Sequence, residues 1–562
     1  MGHFQILQTI LMMIPGILFV CHNLALNFTA VVPEHHCQLQ NKTSPESLLL
    51  GDGRDEDLLR ISIPMDKAGK PEMCLRFTEP QWQLLNPNAT EETRPATEDC
   101  LDGWVYDKSI SPSSIITEWD LVCERKSLKS VTQIIFMGGQ QVGTVFFGIL
   151  SDRFGRRTML LWSSLMATIT GACTALMPTL AGFTVFTFFT GAGVMGFLLT
   201  SNCLTLEWTP TEKRIFVNAC NTYAFTIGQI VLATWAYLVQ EWRWLQFSIS
   251  VACGIIVLFS LYVDRTANKL SNKALPESAC WLIAHNKLHK AVKTLQKVAW
   301  INGQKKERRK LTPEGIMSYI QEDLTTVKPT SHLRDLFRTP GICKITLSVL
   351  FGWFARGFSF YGMVLDLQKF GFSIHLVQVL FALIDFPARL LTAFSLSYMG
   401  RRFTLIFCTV FSGLMILIGI FVPQDLTALR MTLSVLGKGG LAGAISSDFL
   451  YTLELYPTEI RQMGMSVGIF ASRIGSLMAP VIFIVGSYIP ILQPLLFGIL
   501  PILSAFAISF RIDTRGLPLL DTIQETENRI KKAQSLKGNV SKDVQERPAF
   551  LLPEMSPAES TV

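Results

Sequence analysis

The chain has 562 residues, 49% of them apolar and only 17% charged, with a net charge of +7 and a mean hydropathy of +0.35. Soluble domains carry about 25% charged residues, so this composition excludes a soluble globular protein. The basic residues stand at the ends of apolar runs and in one loop, which argues against a nucleic-acid partner.

Residues 9–31 form the first apolar run and contain no charge. No Lys or Arg precedes it, and it exceeds the about 7–15 residues of a signal-peptide core. Residues 1–31 therefore read as a first transmembrane helix, interrupted by the polar His22 and Asn23. Residues 32–127 are different material, with 18 Asp+Glu against 10 Lys+Arg and four cysteines, Cys37, Cys74, Cys100 and Cys123. Asn41-Lys-Thr and Asn88-Ala-Thr in this stretch are glycosylation acceptors. Clustered cysteines beside such acceptors predict an extracellular loop stapled by two disulfides, with three connectivities open. No cysteine or histidine spacing predicts a metal site.

Apolar runs then follow at 128–150, 158–177, 180–205, 215–240 and 245–263, each near the ~20 residues that cross a bilayer. Residues 264–341 form a polar interlude with 15 Lys+Arg and 7 Asp+Glu. Within it, Leu288–Val298 has helical periodicity, with Lys287, Lys290, Lys293 and Lys297 on the wet side. Six more runs occupy 342–365, 374–399, 403–422, 428–453, 462–487 and 490–511, and 512–562 form a polar tail. Twelve spans put the basic interlude on one side and the cysteine loop on the other. The positive-inside rule makes the basic side cytoplasmic, and with it both termini. The expected fold is an all-α membrane protein. Continuous rather than alternating apolar runs exclude a membrane β-barrel.

Two motifs repeat. Gly148-Ile-Leu-Ser-Asp-Arg-Phe-Gly-Arg-Arg157 ends in Gly155-Arg156-Arg157, which returns as Gly400-Arg401-Arg402 at an offset of 245 residues. Glu207-Trp-Thr-Pro-Thr-Glu-Lys-Arg214 returns as Glu454-Leu-Tyr-Pro-Thr-Glu-Ile-Arg461 at an offset of 247. Two unrelated motifs at nearly the same interval make the chain two similar halves. Ser397 stands where the first copy has Asp152, so any latch built on these turns is expected to be stronger in the N-terminal half. Gly148 is expected to permit close helix approach, and Asp152 to meet a helix N-terminus or an arginine across the bundle interface.

Twelve spans as six plus six, a central loop and the repeated Gly-Arg-Arg turn resemble the major facilitator superfamily. The long cysteine loop, Leu275-Pro-Glu-Ser-Ala-Cys-Trp-Leu282 and Glu454-Leu-Tyr-Pro-Thr-Glu-Ile-Arg461 narrow the resemblance to the organic anion/cation transporter family, from end to end. Trp353-Phe-Ala, Tyr361-Gly-Met-Val-Leu-Asp-Leu-Gln368, Val435-Leu-Gly-Lys-Gly439 and Phe449-Leu-Tyr-Thr452 are similar to its organic anion branch. The resemblance implies two six-helix bundles rocking about a midplane site. It also implies that Gly148, Asp152, Arg153, Gly155, Arg156, Arg157, Glu207, Arg214, Gly400, Arg401, Arg402, Glu454 and Arg461 serve gating.

Charges inside spans cost about 2.5–3.5 kcal/mol at the bilayer centre, so each needs a partner or a task. The chain has Arg356, Asp385, Arg389, Lys438, Asp448 and Arg473 there. Counted from the span ends at ~1.5 Å per residue, Arg389 and Arg473 both lie about 15–17 Å from the cytoplasmic face. Two planar guanidiniums at matched depth suit a carboxylate or sulfate, and the resemblance implies basic anion-binding positions at both. Asp385, four residues from Arg389, offers the competing structural pair. Trp353, Arg356 and Phe360 share roughly one helix face, with Tyr361 beside it. The resemblance implies that Phe360, Tyr361, Tyr223 and Asn23 line the substrate path. Arg356, Asp448 and Cys280 depart from the family pattern. The same count puts Arg356 at ~21 Å and Asp448 at only ~7–8 Å from the inner face, which predicts that they do not pair.

These features predict a plasma-membrane secondary carrier of amphipathic organic anions, as exchanger or facilitative carrier: carboxylates, sulfate or glucuronide conjugates and urate-like acids, with a counter-anion as possible partner. No cofactor is expected. There is no Walker sequence for ATP and no nucleophile–base pair, so the chain does not read as an enzyme. A transport-deficient binding or sensor protein on the same fold is one alternative, motivated by Cys280 and Asp448. A carrier of cations or zwitterions is the other.

Overall fold

The computed structural model describes residues 2–39, 54–66, 69–85, 95–108, 112–210, 213–267, 276–304, 308, 311–318, 333–457, 459–515, 520 and 522–532. Asn41 and Asn88 lie outside these residues. Twelve long helical segments dominate: α1 His3–Leu24, α2 Ser127–Phe154, α3 Arg156–Leu176, α4 Leu180–Glu207, α5 Arg214–Leu238 and α6 Trp242–Ala267. The second half supplies α7 Pro340–Leu365, α8 Ile374–Tyr398, α9 Arg401–Phe421, α10 Thr427–Leu455, α11 Arg461–Gly486 and α12 Leu492–Ser509. Among the described residues, eight of them (α1–α4, α8, α9, α11 and α12) are long and apolar enough to cross a membrane. Helix α10 carries Arg430, Lys438, Asp448 and Glu454, which lower its hydropathy.

The first helix begins at His3, earlier than the apolar run. Its first turn is fixed from outside the run: the Phe4 amide donates to Asn302 Oδ1 (2.9 Å), and the Phe4 ring meets Trp208 edge-on. Helix α8 is interrupted at Ile384. Pro387 has no N–H to give the Leu383 carbonyl, which weakens the ladder at this point.

The packing repeats between halves. In the first half α1 packs on α5, α2 on α4, α3 on α4 and α3 on α6; in the second α7 packs on α11, α8 on α10, α9 on α10 and α9 on α12. Adding six to each helix number of the first set gives the second, as the repeated motifs require. Across the halves α2 meets α11 and α5 meets α8, a pair that the same operation exchanges.

Glycines set the closest approaches. A Cβ on Gly139 or Gly143 of α2 would stand 2.1 or 2.3 Å from the Phe188 or Ala192 carbonyl oxygen of α4. On α7 and α11, a Cβ on Gly357 would be 2.2 Å from the Ser472 oxygen, and one on Gly475 2.3 Å from the Phe354 oxygen. Small residues at such crossings let backbones touch inside a membrane. Gly148 is not one of them, contrary to expectation: its Cβ would meet only Leu199, at an ordinary 3.8 Å. It lies past the tight part of the α2–α4 crossing.

The cysteine loop is stapled as Cys37–Cys100 and Cys74–Cys123. Two short antiparallel pairs, β1 His35–Cys37 with β4 Trp104–Tyr106 and β2 Leu75–Phe77 with β3 Thr97–Asp99, hold the staples in register. Buried Arg76 bridges Glu98 (2.8 Å) and Asp102 (2.6 Å). The Tyr106 hydroxyl donates to Asp120 (2.8 Å), and burial together with that carboxylate pushes its phenol above the ordinary range. In the interlude, Leu288–Ile301 is a helix that buries Ala291, Val292, Val298 and Ala299 and exposes Lys290 and Lys293, as its periodicity predicts.

Candidate functional site

Helix α7 is held against α11 by the Gly357 and Gly475 contacts. That approach brings Arg473 of α11 to Tyr361 of α7, and Arg473 Nη1 donates to the Tyr361 hydroxyl (3.2 Å). Arg473 is half-buried, and among the described residues it has no ion pair. An intramembrane guanidinium with only a neutral phenol for company retains both capacity and need for an anion. The Tyr361 ring lies edge-on to Phe360 at 5.6 Å. Both rings join an apolar cluster drawn from both halves, including Leu24, Phe28 and Leu232 of the first and Phe358, Met363 and Phe381 of the second.

Arg389 is placed otherwise. Its Nη1 crosses to the other bundle, donating to the Thr222 carbonyl (2.8 Å) and Thr226 Oγ1 (3.0 Å) of α5. Its Nη2 lies 3.5 Å from Asp385, the pair its spacing offered. Asp385 is also held, more closely, by buried Lys438 (2.6 Å). Lys438 donates to the Phe381 carbonyl as well, on the turn before the α8 interruption, and sits over the Phe360 ring at 5.6 Å. Two cations against one carboxylate leave this cluster net positive beside Phe360. Tyr223 stacks on Phe386 across the α5–α8 contact (5.5 Å). Asn23 is turned into its own bundle and accepts from Gln140 Nε2.

Trp353 and Arg356 point into the second bundle. Trp353 Nε1 donates to Thr452 Oγ1 (3.2 Å). Arg356 pairs with Asp448, and Arg511 beyond α12 reaches the same carboxylate at 3.5 Å, all three fully or almost fully buried. Counting residues from the helix ends had set Arg356 and Asp448 apart, and the structure corrects this. The Arg356 side chain folds back one turn toward the start of α7, over Gly352, where a Cβ would lie 2.6 Å from Nη2. Helical side chains lean toward the N-terminus, and a long arginine extends that lean over several ångströms.

The halves are joined on the side of the cysteine loop. Asn27 Nδ2 donates to the Val364 carbonyl (2.9 Å), and Gln368 exchanges hydrogen bonds with the Val32 backbone (3.1 and 3.0 Å) while accepting from Lys129 (3.0 Å). His375 stacks on Phe28. On the opposite, basic side the two motif ion pairs each stay within one half: Arg156 with Glu207 (3.1 Å) and Arg401 with Glu454 (3.1 Å). The arrangement is closed on the loop side.

Both Gly-Arg-Arg turns have the same build. Gly155 (φ +104°) and Gly400 (φ +98°) take backbone angles that side chains disfavour. Arg214 and Arg461 each donate from Nε to the carbonyl five residues earlier, at Thr209 (3.3 Å) and Tyr456 (3.2 Å). The copies differ where Asp152 is replaced by Ser397. Arg156 holds two carboxylates, Asp152 and Glu207, so Asp152 meets an arginine one turn along its own half rather than one across the bundle interface. Among the described residues Arg401 pairs with Glu454 and gives its Nη1 to the Leu396 carbonyl (3.1 Å). Arg402 donates to the Ser509 carbonyl. Sequence reasoning missed Glu277, which accepts from the Arg157 amide (3.1 Å), and Trp281, whose Nε1 donates to the Asp152 carbonyl (2.6 Å). Asp152→Asn keeps this geometry and removes one charge from Arg156. The expected result is a lowered maximal transport rate with an unchanged order of substrate preference, read from initial rates on a substrate panel.

A family model described as Major Facilitator Superfamily matches residues 126–522. Solute carrier family 22 member 20 of Mus musculus is 43% identical over 95% of this chain and 93% of its own length. Solute carrier family 22 member 6-B of Xenopus laevis is 40% identical over 96% and 95%, and organic anion transporter 3 of Mus musculus is 39% identical over 94% and 93%. Among solved structures, the inward open conformation of the xylose transporter XylE from E. coli superposes with a TM-score of 0.59 at 16% identity, over 92% of this chain and 98% of that one.

Proposed function

Because the chain belongs to the major facilitator superfamily, and within it to solute carrier family 22 with the organic anion transporters, we propose that it is a secondary carrier of amphipathic organic anions. It crosses the plasma membrane in twelve spans with both termini in the cytoplasm. It moves carboxylates, sulfate or glucuronide conjugates and urate-like acids by alternating access.

The observation that carries this reading is Arg473, a guanidinium inside α11 whose described partner is the neutral Tyr361 hydroxyl. Phe360 and Tyr361 offer the apolar part of an amphipathic substrate its surface, and Arg473 offers the charged part a forked donor. The Lys438–Asp385–Arg389 cluster adds net positive charge next to Phe360 and ties α8 to α5. The bonds from Asn27 and Gln368 form the gate on the loop side, and the two Gly-Arg-Arg turns act in the opposite gate. Asp448 is engaged by Arg356 and Arg511, which argues against its serving as the acid of a cation site.

Uptake of labelled estrone sulfate into cells displaying the chain at their surface tests the reading. Saturable uptake above that of untransfected cells is expected. Efflux of preloaded label into anion-free medium separates the two modes: it continues if the carrier is facilitative and stops if the carrier is an obligate exchanger. No saturable uptake of any anion on a broad panel, with the protein at the surface, would favour the transport-deficient alternative.

A further inference from the structure

The outward side of α2 and α3 holds a groove of about 620 Å³. Its walls are Phe146, Phe147, Leu150 and Phe154 of α2 with α3 from Thr158 to Thr170, including Trp162 and Leu165, and almost no polar surface lines it. Trp162 and Ile169 are more than half exposed, so the groove faces outward from the bundle. Along α3 it runs about 18 Å at ~1.5 Å per residue. One leaflet of a hydrocarbon core is about 15 Å deep. The groove therefore has the length of a single leaflet's acyl chain, starting at the α2–α3 turn.

The turn supplies the other half of a lipid site. Arg153 is exposed, and its guanidinium lies over the Phe154 ring at 5.6 Å, at the end of the groove. Among the described residues Arg153 has no ion pair, whereas its neighbour Asp152 is taken by Arg156. A cation at the edge of the hydrocarbon faces the layer of lipid phosphates, and a guanidinium can donate two hydrogen bonds to one phosphate.

We propose that this groove binds one glycerophospholipid of the cytoplasmic leaflet, its phosphate on Arg153 and an acyl chain between α2 and α3. The proposal rests on the membrane-spanning orientation given above. A sterol would leave Arg153 without an anion, and so would an apolar helix of a second copy of the chain.

The test uses the full chain purified in mild detergent, with bound lipid counted by native mass spectrometry after a delipidating wash. About one phospholipid retained per chain is expected. Arg153→Gln and Leu165→Trp should each lower retention about threefold or more, while Arg153→Lys keeps it. Leu391→Trp, on an exposed face of α8, should leave it unchanged. Equal retention in all variants, an equal loss with Leu391→Trp, retention of sterol alone, or a lipid-free pair of chains would each overturn the proposal. Transport is not read in this experiment, so its failure leaves the anion-carrier reading standing, and failure of transport leaves the lipid count interpretable.

Discussion

Arg473→Ala should abolish saturable estrone sulfate uptake at ordinary substrate concentrations while leaving the amount of protein at the surface unchanged. The substitution removes a guanidinium whose described partner is a neutral hydroxyl, so no buried acid is orphaned and folding has little to lose. What is lost is a charge-assisted contact worth about 1.5–3 kcal/mol, roughly ten- to a hundredfold in apparent affinity. Arg473→Lys keeps the charge and loses the fork, and should recover part of the uptake, more for monoatomic-like point contacts than for planar carboxylates. Tyr361→Phe removes only the hydroxyl that orients the guanidinium, and should weaken uptake severalfold. Full uptake in Arg473→Ala at matched surface expression would move the anion contact to the Lys438–Arg389 cluster.

Asp448→Ala should have the largest effect on folding. It leaves two buried guanidiniums, Arg356 and Arg511, without a carboxylate. Removing one partner of a buried ion pair costs about 3–5 kcal/mol, which is a large share of the stability of a typical domain. Little protein should reach the surface, and what is purified should melt well below the parent chain. Arg356→Ala should be milder, because Arg511 still neutralises Asp448. The order of the two effects follows from the count of charges left behind. If Asp448→Asn instead abolished uptake without touching surface amount or melting, the aspartate would be a substrate or proton group, and the cation-carrier alternative would gain.

The half-to-half symmetry was legible because two motifs repeat at nearly one interval, and the helix pairs repeat with them. The buried charges were legible as a set, since each stands in an apolar run. Their partners were not. Residue counting sets Arg356 and Asp448 too far apart, because it measures backbone height and ignores the reach of an arginine that folds back over Gly352. Arg389 was equally visible, but its bonds to Thr222 and Thr226 depend on how α5 meets α8, which no local pattern encodes. Lys438 stands out as a charge inside a span, yet nothing in its sequence neighbourhood encodes its reach to the Phe381 carbonyl and Asp385 beside the interruption of α8. Gly148 failed for the opposite reason. A glycine at a helix end looks like a contact point, but the α2–α4 crossing is tight at Gly139 and Gly143, a turn or more away.

Counterflow in proteoliposomes asks whether the purified chain carries organic anions. Purified protein is reconstituted in vesicles loaded with unlabelled estrone sulfate, and entry of the labelled compound is followed. Transient, saturable accumulation is expected, inhibited by other organic anions, insensitive to tetraethylammonium and lost in Arg473→Ala. Accumulation of tetraethylammonium in place of the anion, or no counterflow of any anion with correctly folded protein, would contradict it.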